Sequence, residues 1–161
     1  MIFSQGEYAQ RVQAGRGRYY RMAYCYVKNE QDALDIVSEA VYRGLSSLHQ
    51  LKQADYFDTW MTRIVINTAL THLRKTADRR PAGNEPPENL PAEESALSAE
   101  ASLDLYEALE LLEPDERSLV VLRFFEERSF REMAKILELP EPTVKSQLYR
   151  VLRKLKARLR A

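Results

Sequence analysis

The sequence predicts an all-α protein of two small helical domains joined by an acidic, proline-rich linker. Apolar residues recur every three or four positions through most of the chain, which is the spacing of amphipathic helices. Glycine is scarce, with five residues among 161, and long stretches lack both glycine and proline, which favours helix over sheet. The helical pattern fails over one long stretch. The predicted units are therefore residues 1–77, a linker at 78–100, and residues 101–161.

Two segments of the first unit carry the helical pattern. "DALDIVSEAVYRGL" (32–45) and "DTWMTRIVINTALTHLRK" (58–75) each place apolar residues along one side of a helix. Asp58 is the expected N-cap of the second helix. The intervening "HQLKQADY" (49–56) is polar enough to predict a loop. This unit is therefore predicted to be a helical bundle.

The linker differs in composition from both flanking units. "ADRRPAGNEPPENLPAEESA" (77–96) holds four of the seven prolines and five acidic residues, and it shows no periodic apolar pattern. Such a composition predicts an extended, solvated chain.

Residues 101–161 regain the helical pattern and predict four helices. Pro114 suits the first turn of the second helix. Ser129, followed three residues later by Glu132, has the spacing of a capping box at the start of the third helix. The fourth helix follows a short break at 139–142. The first three helices are predicted at 102–113, 114–127 and 129–137.

The last helix combines an apolar stripe with basic residues. Together with the short helix before it, this is the arrangement of a helix-turn-helix. The second helix of that motif reads base edges in the major groove, while Lys and Arg neutralise phosphates. The alternative is an amphipathic helix hairpin with a solvated basic face. The stripe consists of Val144, Leu148, Val151, Leu152, Leu155 and Leu159.

The turn before this helix departs from the usual motif. Glu138 and Pro142 stand where a helix-turn-helix often carries glycine. Pro140 and Pro142 can still end one helix and start the next. The charges of Glu138 and Glu141 should repel nearby phosphates.

Charge is distributed unevenly along a chain whose net charge is zero. Residues 1–77 carry ten Lys and Arg against seven Asp and Glu, residues 78–118 carry three against twelve, and residues 119–161 carry eleven against five. Two basic ends therefore flank an acidic middle, an asymmetry that is informative where the total is not.

Enzyme and membrane classes find no support in the sequence. Its two histidines and one cysteine lie far apart, and it has no glycine-rich phosphate loop and no nucleophile elbow, so we expect no catalytic site, cofactor or metal. Cys25 has apolar neighbours and is interpreted as a packing residue rather than a reactive thiol. With no signal peptide and no apolar run of roughly 18 residues, a cytoplasmic protein is expected rather than a membrane protein.

Two segments of the chain resemble one family, the extracytoplasmic-function (ECF) group of sigma-70-like bacterial RNA polymerase sigma factors. "LEPDERSLVVLRFFEERSFREMAKILELPEPTVKSQLYRVLRKLK" (112–156) is similar to sigma region 4. "DALDIVSEAVYRGL" (32–45) and "FDTWMTRIVINTALTHLRK" (57–75) are similar to sigma region 2. The resemblance implies two all-helical domains that bind core RNA polymerase and promoter DNA. It further implies promoter recognition, promoter melting and transcription initiation at stress- or envelope-responsive promoters.

The resemblance implies that region 2 binds the coiled coil of the polymerase clamp. Asp35 and Glu39, four residues apart on one helix face, match positions where the family presents carboxylates to basic residues of that coiled coil. Ser38 stands where the family usually has glutamine. The alternative for the two carboxylates is a solvated helix face.

The resemblance also assigns contacts with the minus-ten element to region 2. The loop at 48–56 matches a strand-opening loop that captures an unstacked base, and Tyr56 or Phe57 could stack on that base. For either ring the alternative is a place in the core. Asn67 matches an asparagine that faces single-stranded DNA, and Trp60 is interpreted as core. The implied contacts with the DNA backbone are Arg63, His72, Arg74 and Lys75.

Region 4 is expected to bind the polymerase flap and the minus-thirty-five element. Gln147 replaces an arginine that is usual in the family, and Arg131 could touch phosphate, a contact that positions the protein without reading sequence. The positions that meet the major groove are matched by Lys145, Ser146, Tyr149 and Arg150. The remaining implied contacts are Thr143 and Arg153.

The resemblance implies two further features. The family is usually held inactive by an anti-sigma factor, often a membrane-anchored one. The acidic linker could thread the nucleic-acid channels of the polymerase or serve as a passive tether.

The alternative function is that of a helix-turn-helix transcriptional activator or repressor that does not replace the sigma subunit. Against it, the N-terminal half lacks the alternating strand pattern of a receiver or ligand domain.

Overall fold

The computed structural model of the chain describes residues 3–77 and 99–159, and all regular structure in these ranges is helical. The all-α fold class is therefore confirmed. Most of the predicted linker, residues 78–98, lies outside the described residues. The α-helices are α1 (Gln5–Val27), α2 (Glu30–Ser46), α3 (Phe57–Thr76), α4 (Ala99–Glu110), α5 (Pro114–Val120), α6 (Phe130–Leu137) and α7 (Glu141–Leu159).

Helices α1, α2 and α3 pack against one another as the predicted bundle. A close contact between α1 and α2 explains why position 44 is glycine. The hydroxyl of Tyr8 on α1 donates to the backbone oxygen of Val41, at 2.7 Å. A Cβ atom on Gly44 would lie 2.3 Å from that hydroxyl oxygen. Glycine therefore lets α1 and α2 approach each other at this point.

The connection from α2 to α3 contains no α-helix, as predicted, but it holds two short 3₁₀ turns at Leu48–Gln50 and Ala54–Tyr56. The N-cap prediction for Asp58 is wrong, because α3 begins at Phe57 and Tyr56 occupies the cap position. The Asp58 carboxylate instead binds the guanidinium groups of Arg18 and Arg128. Asp58 still lies in the first turn of α3, where a negative charge interacts favourably with the helix dipole.

The boundaries of α4 and α5 differ from prediction. Helix α4 ends at Glu110, earlier than expected, and α5 spans only Pro114–Val120 before a π-helical turn at Val121–Phe125. Pro114 begins α5 as predicted, and Glu113 before it is extended, with φ −63° and ψ 152°. The side chain of Glu116 accepts a hydrogen bond from the Glu113 N–H at 2.8 Å.

Helix α6 opens with the predicted capping box. The Ser129 hydroxyl accepts from the Glu132 N–H at 3.1 Å, and the Glu132 carboxylate accepts from the Ser129 N–H at 3.0 Å. At the other end, Glu138 adopts the left-handed conformation, with φ 56° and ψ 46°. Glutamate thus occupies the turn position that most often needs glycine.

Replacing Ser129 should destabilise the protein through this cap. We expect Ser129→Ala to lower the free energy of unfolding by about 1 kcal/mol, because the Glu132 N–H in the first turn of α6 loses the hydroxyl that accepts its hydrogen bond. Urea denaturation measures the change. Ser146→Ala is the matched control, since Ser146 is exposed on α7 and exposed substitutions usually stay within about 0.5 kcal/mol. Equal effects of the two substitutions would contradict the cap.

The two halves share one core. Helix α1 contacts α4 and α5, while α3 contacts α5 and α6. The buried Arg117 donates to the backbone oxygen of Tyr26 at 2.5 Å, and the Tyr26 hydroxyl lies 2.6 Å from the Ser118 hydroxyl. The rings of Tyr24 and Tyr106 pack edge to face with centroids 5.1 Å apart. Across 3–77 and 99–159, no helix is both long and apolar enough to span a membrane.

Candidate nucleic-acid and partner interfaces

Helix α2 exposes an acidic face with apolar neighbours. Its core side buries Ala33, Ile36, Val37 and Ala40, whereas Asp35, Ser38 and Glu39 are exposed as a binding role requires. Glu39 pairs with Arg43 at 3.0 Å, and Asp35 accepts from the Gln31 amide at 3.0 Å. Such pairs on a solvated helix contribute little to folding. The carboxylates therefore remain available to a basic partner.

Apolar side chains beside these carboxylates were not singled out by sequence reasoning. Leu34 is 41% exposed, Tyr42 66% and Leu45 42%. The helical spacing of residues 32–45 predicts that Leu45 is buried with the other apolar residues of this segment, but its side chain is exposed. Exposed apolar and aromatic groups rimmed by polar residues are typical of a protein-docking surface.

The predicted minus-ten residues divide between exposed and engaged side chains. Asn67, Arg74 and Lys75 are exposed along α3. His72 is partly buried, and its Nε2 atom lies 3.9 Å from a carboxylate oxygen of Asp32. The exposed members line one helix and could follow a nucleic-acid strand.

Tyr56 and Phe57 have different environments. Phe57 is 4% exposed, and its ring packs edge to face against Phe3 with centroids 5.7 Å apart. Tyr8 and Trp60 complete this aromatic cluster, so the geometry favours the core alternative for Phe57. Tyr56 is only partly buried, and its hydroxyl accepts from Arg63 at 2.9 Å.

Arg63, a predicted DNA-backbone contact, binds the end of α6 in this structure. Its guanidinium donates to the backbone oxygens of Lys135 at 2.6 Å and Ile136 at 3.2 Å. It also lies 3.4 Å from the carboxylate of Glu138. These groups form the C-terminal end of α6, where unsatisfied carbonyls and the helix dipole favour a cation.

Helix α7 has the predicted division between an apolar stripe and a polar face. Val144, Leu148, Val151 and Leu155 are buried, Leu152 is partly buried, and the side chain of Leu159 lies outside the described residues. Thr143 and Gln147 are partly buried. The predicted DNA-facing residues that are exposed are Lys145, Ser146, Tyr149, Arg150 and Arg153, joined by Arg131 on α6.

Phe130, at the start of α6, supports the N-terminal part of that face. The Lys145 ammonium lies 5.4 Å from the centroid of the Phe130 ring, and the Arg123 guanidinium lies 4.3 Å from it. The Tyr149 ring packs against Phe130 with centroids 6.4 Å apart. Phe130 and Arg123 escaped sequence reasoning, because cation–π contacts join separate helices and leave no local pattern.

A charged cluster at the boundary between the halves was also missed. Arg128, 8% exposed, holds the Asp58 carboxylate through both Nη atoms, and the longer hydrogen bond is 3.1 Å. Arg18 donates to the same carboxylate at 2.8 Å. Burial alone would raise the pKa of Asp58, but these two guanidinium groups outweigh it and hold the pKa below its usual value. Burial raises the pKa of the neighbouring Glu126.

Sequence comparisons match both halves to known proteins. The family model for sigma-70 region 2 matches residues 12–79, and the model for sigma-70 region 4 matches residues 102–155. The RNA polymerase sigma factor SigV of Bacillus subtilis is 36% identical over 141 residues, which cover 88% of this chain and 84% of that protein. The RNA polymerase sigma-E factor of Streptomyces coelicolor is 30% identical over 156 residues, covering 95% and 86%.

Solved structures share the fold. The sigma factor RpoE from Bartonella quintana, in complex with the anti-sigma factor NepR, matches with a TM-score of 0.75 and 20% identity, over 95% of this chain and 96% of that one. CnrH in complex with the cytosolic domain of CnrY matches with a TM-score of 0.72 and 21% identity, over 97% and 89%.

Proposed function

The chain belongs to the sigma-70 family of RNA polymerase sigma factors, in its ECF group, and from this premise we propose how its two halves divide the initiation of transcription. As a sigma factor it binds core RNA polymerase and directs promoter recognition. Such proteins are regulatory subunits rather than enzymes. Residues 1–77 bind the polymerase clamp and the minus-ten element. Residues 101–161 bind the polymerase flap and the minus-thirty-five element.

We infer this division of roles from the opposite charges of two exposed helix faces. Helix α2 presents the carboxylates of Asp35 and Glu39, with Ser38 between them, to basic residues of the clamp coiled coil. Helix α7 presents cations beside Tyr149, a combination suited to phosphates and base edges. An acidic face would repel DNA, and a basic face would repel a basic coiled coil.

Within region 4, we infer two kinds of DNA contact. Residues near the N-terminal end of α7, where Phe130 supports the face, read the minus-thirty-five bases; these are Lys145, Ser146, Tyr149 and Arg150. Arg131 and Arg153 bind phosphate, and Thr143 and Gln147 contribute from the edge of the face.

Within region 2, we infer that Asn67 faces the unstacked minus-ten strand and that Tyr56 offers a stacking surface. His72, Arg74 and Lys75 bind the backbone of that strand. Arg63 joins them once it leaves α6. Phe57 supports this region from the core rather than by touching DNA.

We infer that the chain acts in the cytoplasm, at stress- or envelope-responsive promoters, and that an anti-sigma factor restrains it. Support for the restraint comes from the two structural neighbours. RpoE was solved with the anti-sigma factor NepR, and CnrH with the cytosolic domain of CnrY.

Transcription from a promoter library tests the function. Purified core polymerase with this chain should start transcription on templates that core alone ignores. The selected templates should share two sequence elements at a constant spacing, because region 2 and region 4 each read one. A helix-turn-helix activator or repressor would give a different result. It would leave core polymerase inactive, and the selected DNA would share only one sequence element, the one bound by α7.

A further inference from the structure

Phe130 is the first residue of α6, and its ring meets two of the side chains assigned above to base reading. The Lys145 ammonium lies 5.4 Å from the ring centroid, and the centroid of the Tyr149 ring lies 6.4 Å away at an interplanar angle of 56°. Lys145 and Tyr149 are four residues apart, so they share one side of α7, about 6 Å apart along its axis. One ring on α6 therefore supports two consecutive turns of the reading face.

The Phe130 ring is itself held in place. The reciprocal hydrogen bonds of Ser129 and Glu132 fix the first turn of α6, to which Phe130 belongs. Arg123, on the π-helical turn, places its guanidinium 4.3 Å from the ring centroid and donates to the backbone oxygen of Arg128 at 3.0 Å. Both the backbone and the ring of Phe130 are therefore constrained before any DNA is bound.

An aromatic ring holds a lysine without neutralising its charge. The ring quadrupole attracts the Lys145 ammonium, and the full positive charge stays available to DNA. A carboxylate partner would also fix an ammonium, but it would cancel the charge and repel phosphates. Lys154, further along α7, shows that second arrangement, because its ammonium pairs with Glu116 at 2.9 Å. The two lysines are therefore prepared for different tasks.

Reading a base edge requires a side chain in a defined position, whereas a mobile cation can still meet a phosphate. In the major groove a lysine donates to guanine O6 and N7, and an apolar group packs against the thymine methyl. A side chain that a ring already restricts loses less conformational freedom when it binds. Loss of the ring should therefore reduce the choice of base more than the overall affinity.

We propose that Phe130 is a positioning residue that sets the choice of base in the minus-thirty-five element by holding Lys145 and Tyr149 in their reading positions. Arg123 holds the ring from the π-helical turn. The proposal rests on the proposed function, because the geometry of α7 can set a preference only if α7 reads bases. It assigns part of the sequence specificity to α6 and to the turn before it, outside the recognition helix.

Replacement of the ring tests this role. Phe130→Leu keeps an apolar side chain of similar size, and the holoenzyme formed from core polymerase and the full chain is titrated against promoters that differ by one base pair in the minus-thirty-five element. The ratio of affinities for the preferred and the altered base pair should fall about fivefold at one or two positions, the size of one exposed cation–π contact. The salt slope should stay the same, because no charge is removed. Phe130→Tyr keeps the ring and should restore the ratio.

Phe125→Leu is the matched control. Phe125 is also partly buried, and its ring packs against Tyr106 with centroids 6.0 Å apart. This variant should lose stability in urea and keep the base preference of the wild type. A double-mutant cycle adds a second check. In a Lys145→Ala background, Phe130→Leu should cost less preference than in the wild type, because one of the two side chains that the ring holds is gone.

A measurement on the free chain tests the contact with no change at position 130. Protons held over an aromatic ring resonate upfield, so the ε-methylene signals of Lys145 should lie upfield of those of Lys156, an exposed lysine on the same helix. Lys145→Arg removes the signal and so assigns it. This comparison decides whether the ring contact exists even if the Phe130 variants do not fold.

The outcomes separate the positioning role from the proposed function. Equal base preference in the wild type and Phe130→Leu would overturn the role. An equal loss in Phe130→Tyr or Phe125→Leu would also overturn it, because a general effect on folding would then explain the result. Lys145 signals that coincide with those of Lys156 would overturn the ring contact alone. A wild-type holoenzyme that binds every promoter variant alike would overturn base reading by α7, and with it this part of the proposed function.

Discussion

Reversing the charge of both Asp35 and Glu39 to Lys should lower the affinity for core polymerase about tenfold or more. Like charges placed face to face at an interface cost several kcal/mol, and both side chains are exposed on α2. Folding should hardly change, because exposed substitutions usually stay within about 0.5 kcal/mol. Titration of labelled core polymerase with each variant measures the affinity. Urea denaturation measures the stability.

A charge change of the same size elsewhere on the surface distinguishes the loss of a specific contact from a general electrostatic effect on core affinity. Asp55→Lys with Glu107→Lys alters net charge by the same amount, and both positions are exposed. This control should keep core affinity within about twofold, because neither residue is on α2 and exposed charges outside an interface are screened by salt. Similar losses for the two double variants would mean that α2 is not the docking face.

Local signals predicted six of the seven α-helices and several of their ends, whereas α1 was not named as a separate helix. The capping box of Ser129 and Glu132 and the proline at the start of α5 act within four residues, so the sequence alone displays them. The apolar stripe of α7 is equally local, and its buried residues follow the predicted spacing. Features of this kind depend on residues within a few positions of one another, so the sequence displays them directly.

Predictions failed where the partner lies far along the chain. Asp58 was expected to cap its own helix, but guanidinium groups at Arg18 and Arg128, 40 and 70 residues away, bind it instead. An ion pair with two cations outweighs a hydrogen bond to a helix N–H. The hydrophobic pattern also could not separate Tyr56 from Phe57, because the Phe3 and Tyr8 rings that pack on Phe57 come from a distant part of the chain.

Functional roles assigned from the sequence also miss contacts with residues far along the chain. The family resemblance placed Arg63 on DNA from its position in α3, and the exposed face around Asn67 is compatible with that role. No sequence pattern reveals that the Arg63 guanidinium donates to backbone carbonyl groups at the C-terminal end of α6. A resemblance assigns roles in the working complex, whereas the structure adds a competing contact within the free chain.

Lys145→Ala or Arg150→Ala should each weaken binding to the preferred minus-thirty-five sequence by about 1–3 kcal/mol and relax the choice of base at one or two positions. Both residues are exposed on the N-terminal half of α7, the part of a recognition helix that reaches base edges. Lys145 is also held over the Phe130 ring, which limits its freedom before DNA arrives. A titration against a panel of promoter variants at several salt concentrations measures both effects.

Arg153→Ala and Lys156→Ala are the matched comparison on the same helix. Both positions are exposed, but Arg153 lies about 12 Å further along the axis than Lys145, given 1.5 Å per residue. They should therefore meet phosphate, so Arg153→Ala should weaken every sequence alike and lower the salt slope by about one unit. Lys154 is a poorer comparison, because its ammonium pairs with Glu116 at 2.9 Å. If all four substitutions weaken every sequence equally, α7 clamps phosphates and the bases must be read elsewhere.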